Sequence, residues 1–209
     1  MFYLFDFDGT LADSMEFWSG IHKKALLDNG IPIPEGFTET ITPLGNYYGA
    51  EYTVSLGLPI SLDQYLNEVY SALTEGYKSH ITLKPNVKEA LIRLKKEGHS
   101  LNVLTASPHS YVDPFLDRMG IFNLFDNIWT IDDFSLTKAD PTIYKKAAER
   151  LSADASDCIM VDDNITAILT AKSAGLGTVA VYDTTSASSE EKLKMIADRY
   201  ITDFSEFLS

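Results

Sequence analysis

The pattern of apolar and polar positions changes rhythm along the chain. In the second half, short apolar runs alternate with stretches of helical period. Leu101-Asn102-Val103-Leu104, Ile128-Trp129-Thr130-Ile131, Cys158-Ile159-Met160-Val161 and residues 177–182 read as strands. Between them, 109–119, 141–151, 165–174 and 189–197 carry the 3.6-residue period. Gly120 and Gly175 act as stops, and Asp140-Pro141 as a cap with proline at the first helical position. Tyr200-Ile201-Thr202 reads as an edge strand. Alternation of this kind predicts βαβ units, hence a parallel sheet with helices on both faces.

The first half breaks that rhythm. An apolar run, Phe2-Tyr3-Leu4-Phe5, predicts a first strand, but the next one starts only near Leu101. One crossover helix, 86–97, accounts for part of the interval. Residues 15–29, 47–56 and 62–79 carry helical periodicity, with turn signals at Gly30-Ile31-Pro32 and Gly57-Leu58-Pro59. The expected architecture is α/β: a Rossmann-like core made of 1–13 and 81–209, with a small all-helical insert, 14–80, after the first strand. Two adjacent linkers, near 12–14 and 81–85, make a hinge, and an insert at the mouth of a site suggests a lid.

The first strand runs into two carboxylates, Asp6 and Asp8, followed by Gly9 and Thr10. On an extended backbone both carboxylates point the same way, and Gly9 lets the chain turn away. This sets an acidic pair at the carboxyl end of a central strand, where open α/β sheets place their ligands. Like charges there need a cation or a proton. Other expected strand ends supply Thr105 and Ser107, and Asp162-Asp163-Asn164; Lys138 precedes the Asp140-Pro141 helix start. Taken singly, Thr105 reads as a residue capping the next helix, Lys138 as a loop lysine, and Asp162-Asp163-Asn164 as a helix cap and its flank. Together they are the groups that bind Mg²⁺ and a phosphoryl group side by side.

Charge narrows the partners. With 17 Lys and Arg against 30 Asp and Glu, the net charge is −13. Nucleic acid and anionic membrane surfaces both need a basic footprint and are excluded as expected partners. Cys158, the lone cysteine, reads as a buried core thiol. No apolar run reaches the ~20 residues of a membrane span, and the N-terminus lacks a signal core, so a cytoplasmic protein is expected, as a monomer or weak homo-oligomer.

These motifs, in this order, resemble the haloacid dehalogenase-like hydrolase superfamily. Asp6-Phe7-Asp8-Gly9-Thr10-Leu11 is similar to its first motif, Thr105 to its second, Lys138 followed by Pro141 to its third, and Asp162-Asp163 leading to Ala171-Lys172-Ser173-Ala174-Gly175 to its fourth. The insert resembles the helical cap of the phosphoglycolate phosphatase and β-phosphoglucomutase branch. The resemblance implies a phosphatase acting on a small phosphorylated metabolite through an aspartyl-phosphate. Asp6 is then the nucleophile and Asp8 the general acid and base. Mg²⁺ is held by Asp6, the backbone carbonyl of Asp8, and Asp163. Thr105, Ala106 and Lys138 hold the phosphoryl oxygens, and Asp162 ligates through water or orients the others. Three departures stand out: Ala139 follows the lysine where proline is usual, Asp162 stands where many members have glycine, and Trp18 occupies the cap position at which the mutase subgroup has histidine. A phosphosugar mutase and a non-catalytic phospho-acceptor or interaction protein are the competing readings. The loop Pro43-Leu44-Gly45-Asn46-Tyr47-Tyr48-Gly49 is the expected substrate-reading segment, with Tyr47 and Tyr48 as contact residues.

Overall fold

In the computed structural model, which describes residues 1–208, six apolar runs become strands: β1 (Phe2–Phe5), β2 (Ser100–Thr105), β3 (Asn127–Thr130), β4 (Cys158–Asp162), β5 (Gly177–Val181) and β6 (Arg199–Ile201). All pair in parallel, in the spatial order β3-β2-β1-β4-β5-β6. The order reverses at β1. Phe5 pairs with Val103 on one side and Val161 on the other. The chain segments leaving β1, β2 and β4 therefore emerge side by side at the carboxyl edge, at a topological switch point.

The surplus of the first half is helical: α1 (Met15–Asp28), α2 (Phe37–Ile41), α3 (Gly45–Ser55) and α4 (Leu62–Glu75). In α1, Trp18, His22 and Leu26 recur every four residues and face inward; in α4, Tyr65, Val69 and Leu73 do the same. A reciprocal cap between Ser61 and Gln64 starts α4. Helix α2 has only five residues and ends on the buried Phe37 and Ile41; a single turn of that length carries too little periodicity to be expected from sequence. After α4 the chain makes a wider, π-type turn over Gly76–His80. The two connections to the sheet run beside each other. Asp13 N–H donates to Thr82 O at 2.9 Å and Lys84 N–H to Leu11 O at 3.0 Å.

The remaining helices are α5 (Val87–Lys96), α6 (His109–Arg118), α7 (Pro141–Arg150), α8 (Ile165–Ser173) and α9 (Glu190–Ile196). Strand alternation splits the core in two. Phe5, Leu101 and Val103 pack on one face against Leu91, Val112 and Phe115, a cluster continuous with the apolar face of the insert. Leu4, Leu104 and Met160 pack on the other against Ile143, Tyr144 and Ala171. Cys158 is buried in that second layer. No helix among the described residues is long and apolar enough to cross a membrane.

Candidate active site

The carboxyl edge carries a buried charge cluster. Asp6 continues the ladder one residue beyond β1, its N–H donating to Val161 O at 2.9 Å. Its Oδ1 lies 2.7 Å from Lys138 Nζ, which is also 2.7 Å from Asp162 Oδ2. The Tyr144 hydroxyl, from α7, donates to Lys138 O at 3.0 Å and anchors the lysine loop. Asp162 Oδ1 accepts Asn164 N–H at 2.8 Å. Asp163 Oδ1 accepts the Thr10 hydroxyl at 3.1 Å.

One oxygen from each of Asp6, Asp162 and Asp163 lies within 4.8 Å of the others, and all three residues are buried. The Lys138 ammonium pairs with two of these carboxylates, and the charge of Lys84 acts on the third, Asp163. Burial pushes Asp162 up to about 7 despite Lys138 beside it. Burial first, then the charges of Asp162 and Asp6, push Asp163 well above the usual carboxylate range. Burial disfavours the charge on Lys138, but Asp162 and Asp6 outweigh it and hold the ammonium protonated. The excess negative charge on hard oxygen donors is the environment a divalent cation fits.

Asp8 lies apart from this trio. Strand β1 stops at Phe5, so the strict alternation that would aim Asp6 and Asp8 together does not extend to Asp8. The chain folds back instead, with Leu11 and Ala12 N–H groups both donating to Phe7 O, at 2.9 and 2.8 Å. Gly9 sits at φ +75°, and a Cβ there would come within 2.7 Å of the Asp163 carboxylate. Three hydroxyls converge on Asp8. Ser14 and Tyr77 donate to Oδ1 at 2.6 and 2.5 Å, and Ser107 donates to Oδ2. Ser14 comes from the outgoing connection, Tyr77 from the end of the insert and Ser107 from the loop after β2. Burial pushes the Asp8 carboxyl up; the three hydroxyls pull it down, and the Asp6 charge adds to the rise. Nothing local to Ser14 or Tyr77 in the sequence marks them as partners of Asp8.

Thr105 is buried, and its Oγ1 accepts Ser107 N–H at 3.0 Å, which leaves its hydroxyl hydrogen for another acceptor. Beyond Asp8 opens a cavity of about 240 Å³ between the insert and the loop after β2, with Ala106 and Ser107 on its floor. Trp18 forms part of its wall and donates from Nε1 to Asn46 Oδ1 at 2.6 Å. From the loop 43–49, Gly45 and Asn46 face this cavity. Tyr47 and Tyr48 are not in its lining; they are 49% and 61% exposed and pack edge-to-face on each other. Alternation of aromatics and glycines draws attention to the tyrosines, but helix α3 starts at Gly45 and turns them outward.

Residues 3–181 match the family model of haloacid dehalogenase-like hydrolases. A pyrophosphatase, PpaX, from Bacillus velezensis is 32% identical over 180 residues, covering 85% of this chain and 81% of that one. A phosphoglycolate phosphatase from Pseudomonas fluorescens is 30% identical over 187 residues, covering 85% and 68%. Among solved structures, a predicted phosphoglycolate phosphatase from Haemophilus somnus superposes with a TM-score of 0.81 at 23% identity, covering 99% of this chain and 96% of that one. CbbY from Rhodobacter sphaeroides, in complex with phosphate, gives 0.78 at 22% identity, covering 98% and 95%. These two structural likenesses establish the fold, and the family match with the curated relatives establishes descent: the chain belongs to the haloacid dehalogenase-like hydrolases.

Proposed function

We propose that the protein is a Mg²⁺-dependent phosphomonoesterase that cleaves a small phosphorylated metabolite through an aspartyl-phosphate on Asp6. The observation that carries this reading is the meeting of Asp6, Lys138, Asp162 and Asp163 at the switch point, beside an Asp8 gripped by three hydroxyls. The curated relatives, named as phosphatases, support it.

Asp6, the Asp8 carbonyl and Asp163 would hold the ion, and Asp162 would orient Lys138. Bound there, Mg²⁺ would supply positive charge to neutralise the phosphoryl oxygens. Lys138 and the Thr105 hydroxyl would hold the phosphoryl oxygens, with Ala106 contributing backbone. An Asp6 oxygen attacks phosphorus and the ester P–O bond breaks; Asp8, protonated, gives its proton to the leaving alkoxide. Water then attacks phosphorus of the aspartyl-phosphate. Asp8 takes its proton, the bond to the Asp6 oxygen breaks, and inorganic phosphate leaves. Residues 14–80 act as the cap, closing over the acyl-phosphate and selecting the leaving group. At the cap wall Trp18 offers only an N–H donor, already given to Asn46. No base stands there to return the phosphoryl group to a sugar hydroxyl, so water is the acceptor.

Release of phosphate from a small aryl phosphate, with and without Mg²⁺, tests the reading. Wild-type protein is expected to turn over only with the metal, and Asp6→Asn to lose turnover while keeping its fold, because an amide is a poor nucleophile. Near-normal activity in Asp6→Asn would refute the covalent route.

A further inference from the structure

The cavity beyond Asp8 holds the leaving group, if the phosphomonoesterase reading on which this inference rests is right. Its described lining contains no Lys, Arg or His. Three cations of the surrounding elements are committed elsewhere. Lys138 is bound between Asp6 and Asp162. Arg118 donates to Tyr77 O at 3.0 Å and to Ile81 O, and lies over the Phe115 ring. Lys84 is paired with Asp183 at 2.8 Å and donates to Tyr182 O at 2.6 Å. A carboxylate or second phosphate in the cavity would thus be desolvated with no counter-charge, beside an already acidic cluster.

Apart from Asp8 at its inner end, what the wall offers is neutral. Trp18, Tyr77 and Tyr111 present aromatic surface, and Leu73 aliphatic surface. Trp18 is donor-only and its N–H fixes the Asn46 carbonyl oxygen as acceptor, so the Asn46 amide hydrogens remain to donate. Thr42 gives its hydroxyl hydrogen to Thr38 O at 2.7 Å, so its oxygen remains to accept. Amide donors, hydroxyl oxygens and flat apolar faces suit a molecule with C–H surface and hydroxyl groups. The cavity volume of about 240 Å³ lies below the ~300–1,000 Å³ of sites for drug-sized ligands. We infer that the substrate is the phosphomonoester of a small, uncharged, hydroxyl-bearing alcohol such as a polyol or a monosaccharide, and that esters carrying a second anionic group are rejected.

Glycerol 3-phosphate and 3-phosphoglycerate test this, since they differ at one carbon, CH₂OH against carboxylate. Steady-state kcat/KM with Mg²⁺ is measured for both, with phosphoglycolate, pyrophosphate, ethanolamine phosphate and a generic aryl phosphate alongside. The neutral ester is expected to exceed its carboxylate partner by on the order of 10²-fold or more, since a buried charge without a partner is rejected more strongly than a missing methylene. Asn46→Arg, which adds a cation to the wall at a partly exposed position, should shift the ratio toward 3-phosphoglycerate by at least about tenfold. Equal or better turnover of 3-phosphoglycerate, phosphoglycolate or pyrophosphate by the wild type overturns the inference, as does a preference for the cationic ethanolamine ester. Calorimetric binding of the same pair to Asp6→Asn needs no turnover: tighter binding of glycerol 3-phosphate supports the inference, and tighter or equal binding of 3-phosphoglycerate overturns it. Failure of the aryl phosphate to react would instead count against the phosphomonoesterase reading, with the binding pair still deciding the cavity's preference.

Discussion

Replacing Gly9 by alanine separates two effects that meet at one position. The backbone there has φ +75°, so any Cβ brings about 1–2 kcal/mol of left-handed strain. That Cβ would also stand 2.7 Å from Asp163 Cγ, Oδ1 and Oδ2, against 3.4–4 Å for ordinary contact, so the carboxylate must retreat by at least about 0.7 Å. Asp163 has little freedom to do so: it is buried and accepts the Thr10 hydroxyl. A displacement near 1 Å in a catalytic constellation costs on the order of 10²-fold, so Gly9→Ala is expected to lose about 10- to 10²-fold in phosphate release and to need more Mg²⁺ for half-maximal rate. For a chain of this size the strain lowers Tm by about 2–8 °C. Gly30→Ala is the control. Its φ is +70° and a Cβ there meets nothing within 4 Å. It should show a comparable drop in Tm with wild-type rate and Mg²⁺ requirement. Full activity and an unchanged metal requirement in Gly9→Ala would refute the argument, and so would an equal loss of rate in Gly30→Ala.

Two further predictions concern buried charge. Lys138→Met leaves the carboxylates of Asp6 and Asp162 without their shared ammonium, and should lower metal-free stability by about 3–5 kcal/mol in urea titrations while weakening inhibition by vanadate; unchanged stability and inhibition would remove the lysine from the site. His22 is fully buried between Trp18, Thr53 and Tyr65, and burial holds it down at about 4, against 6.5 for an unfolded imidazole. Above pH 6.5 both states are neutral and its contribution is complete. As pH falls toward 4 the unfolded chain takes up the proton first, so about 3 kcal/mol is lost across that interval. His22→Gln should fall less steeply, and a stability gap between variant and wild type that is the same at pH 7 and pH 4.5 would disprove this.

The local chemistry of the chain was sufficient for the frame. The apolar runs Phe2–Phe5 and Cys158–Val161, and the apolar Leu101, Val103 and Leu104 of a third, mark their own strands, since a strand buried on both faces needs mainly apolar character. The helix start at Asp140-Pro141 is likewise written in capping residues that act within a few positions. Asp6, Lys138, Asp162 and Asp163 were legible as candidates because each follows a strand or precedes a helix, and right-handed parallel topology brings such ends to one edge. Tertiary structure alone decided the contacts between distant segments. Lys138 holds Asp6 and Asp162 at equal distances, and Ser14, Tyr77 and Ser107 converge on Asp8 from three separate parts of the chain. It also turned Asn46 toward the cavity and Tyr47 and Tyr48 toward solvent, a choice set by where α3 begins and how it packs on α4. Periodicity assigns residues to faces of an element, but which face meets a site depends on the packing of whole elements, and that is a property of the folded chain.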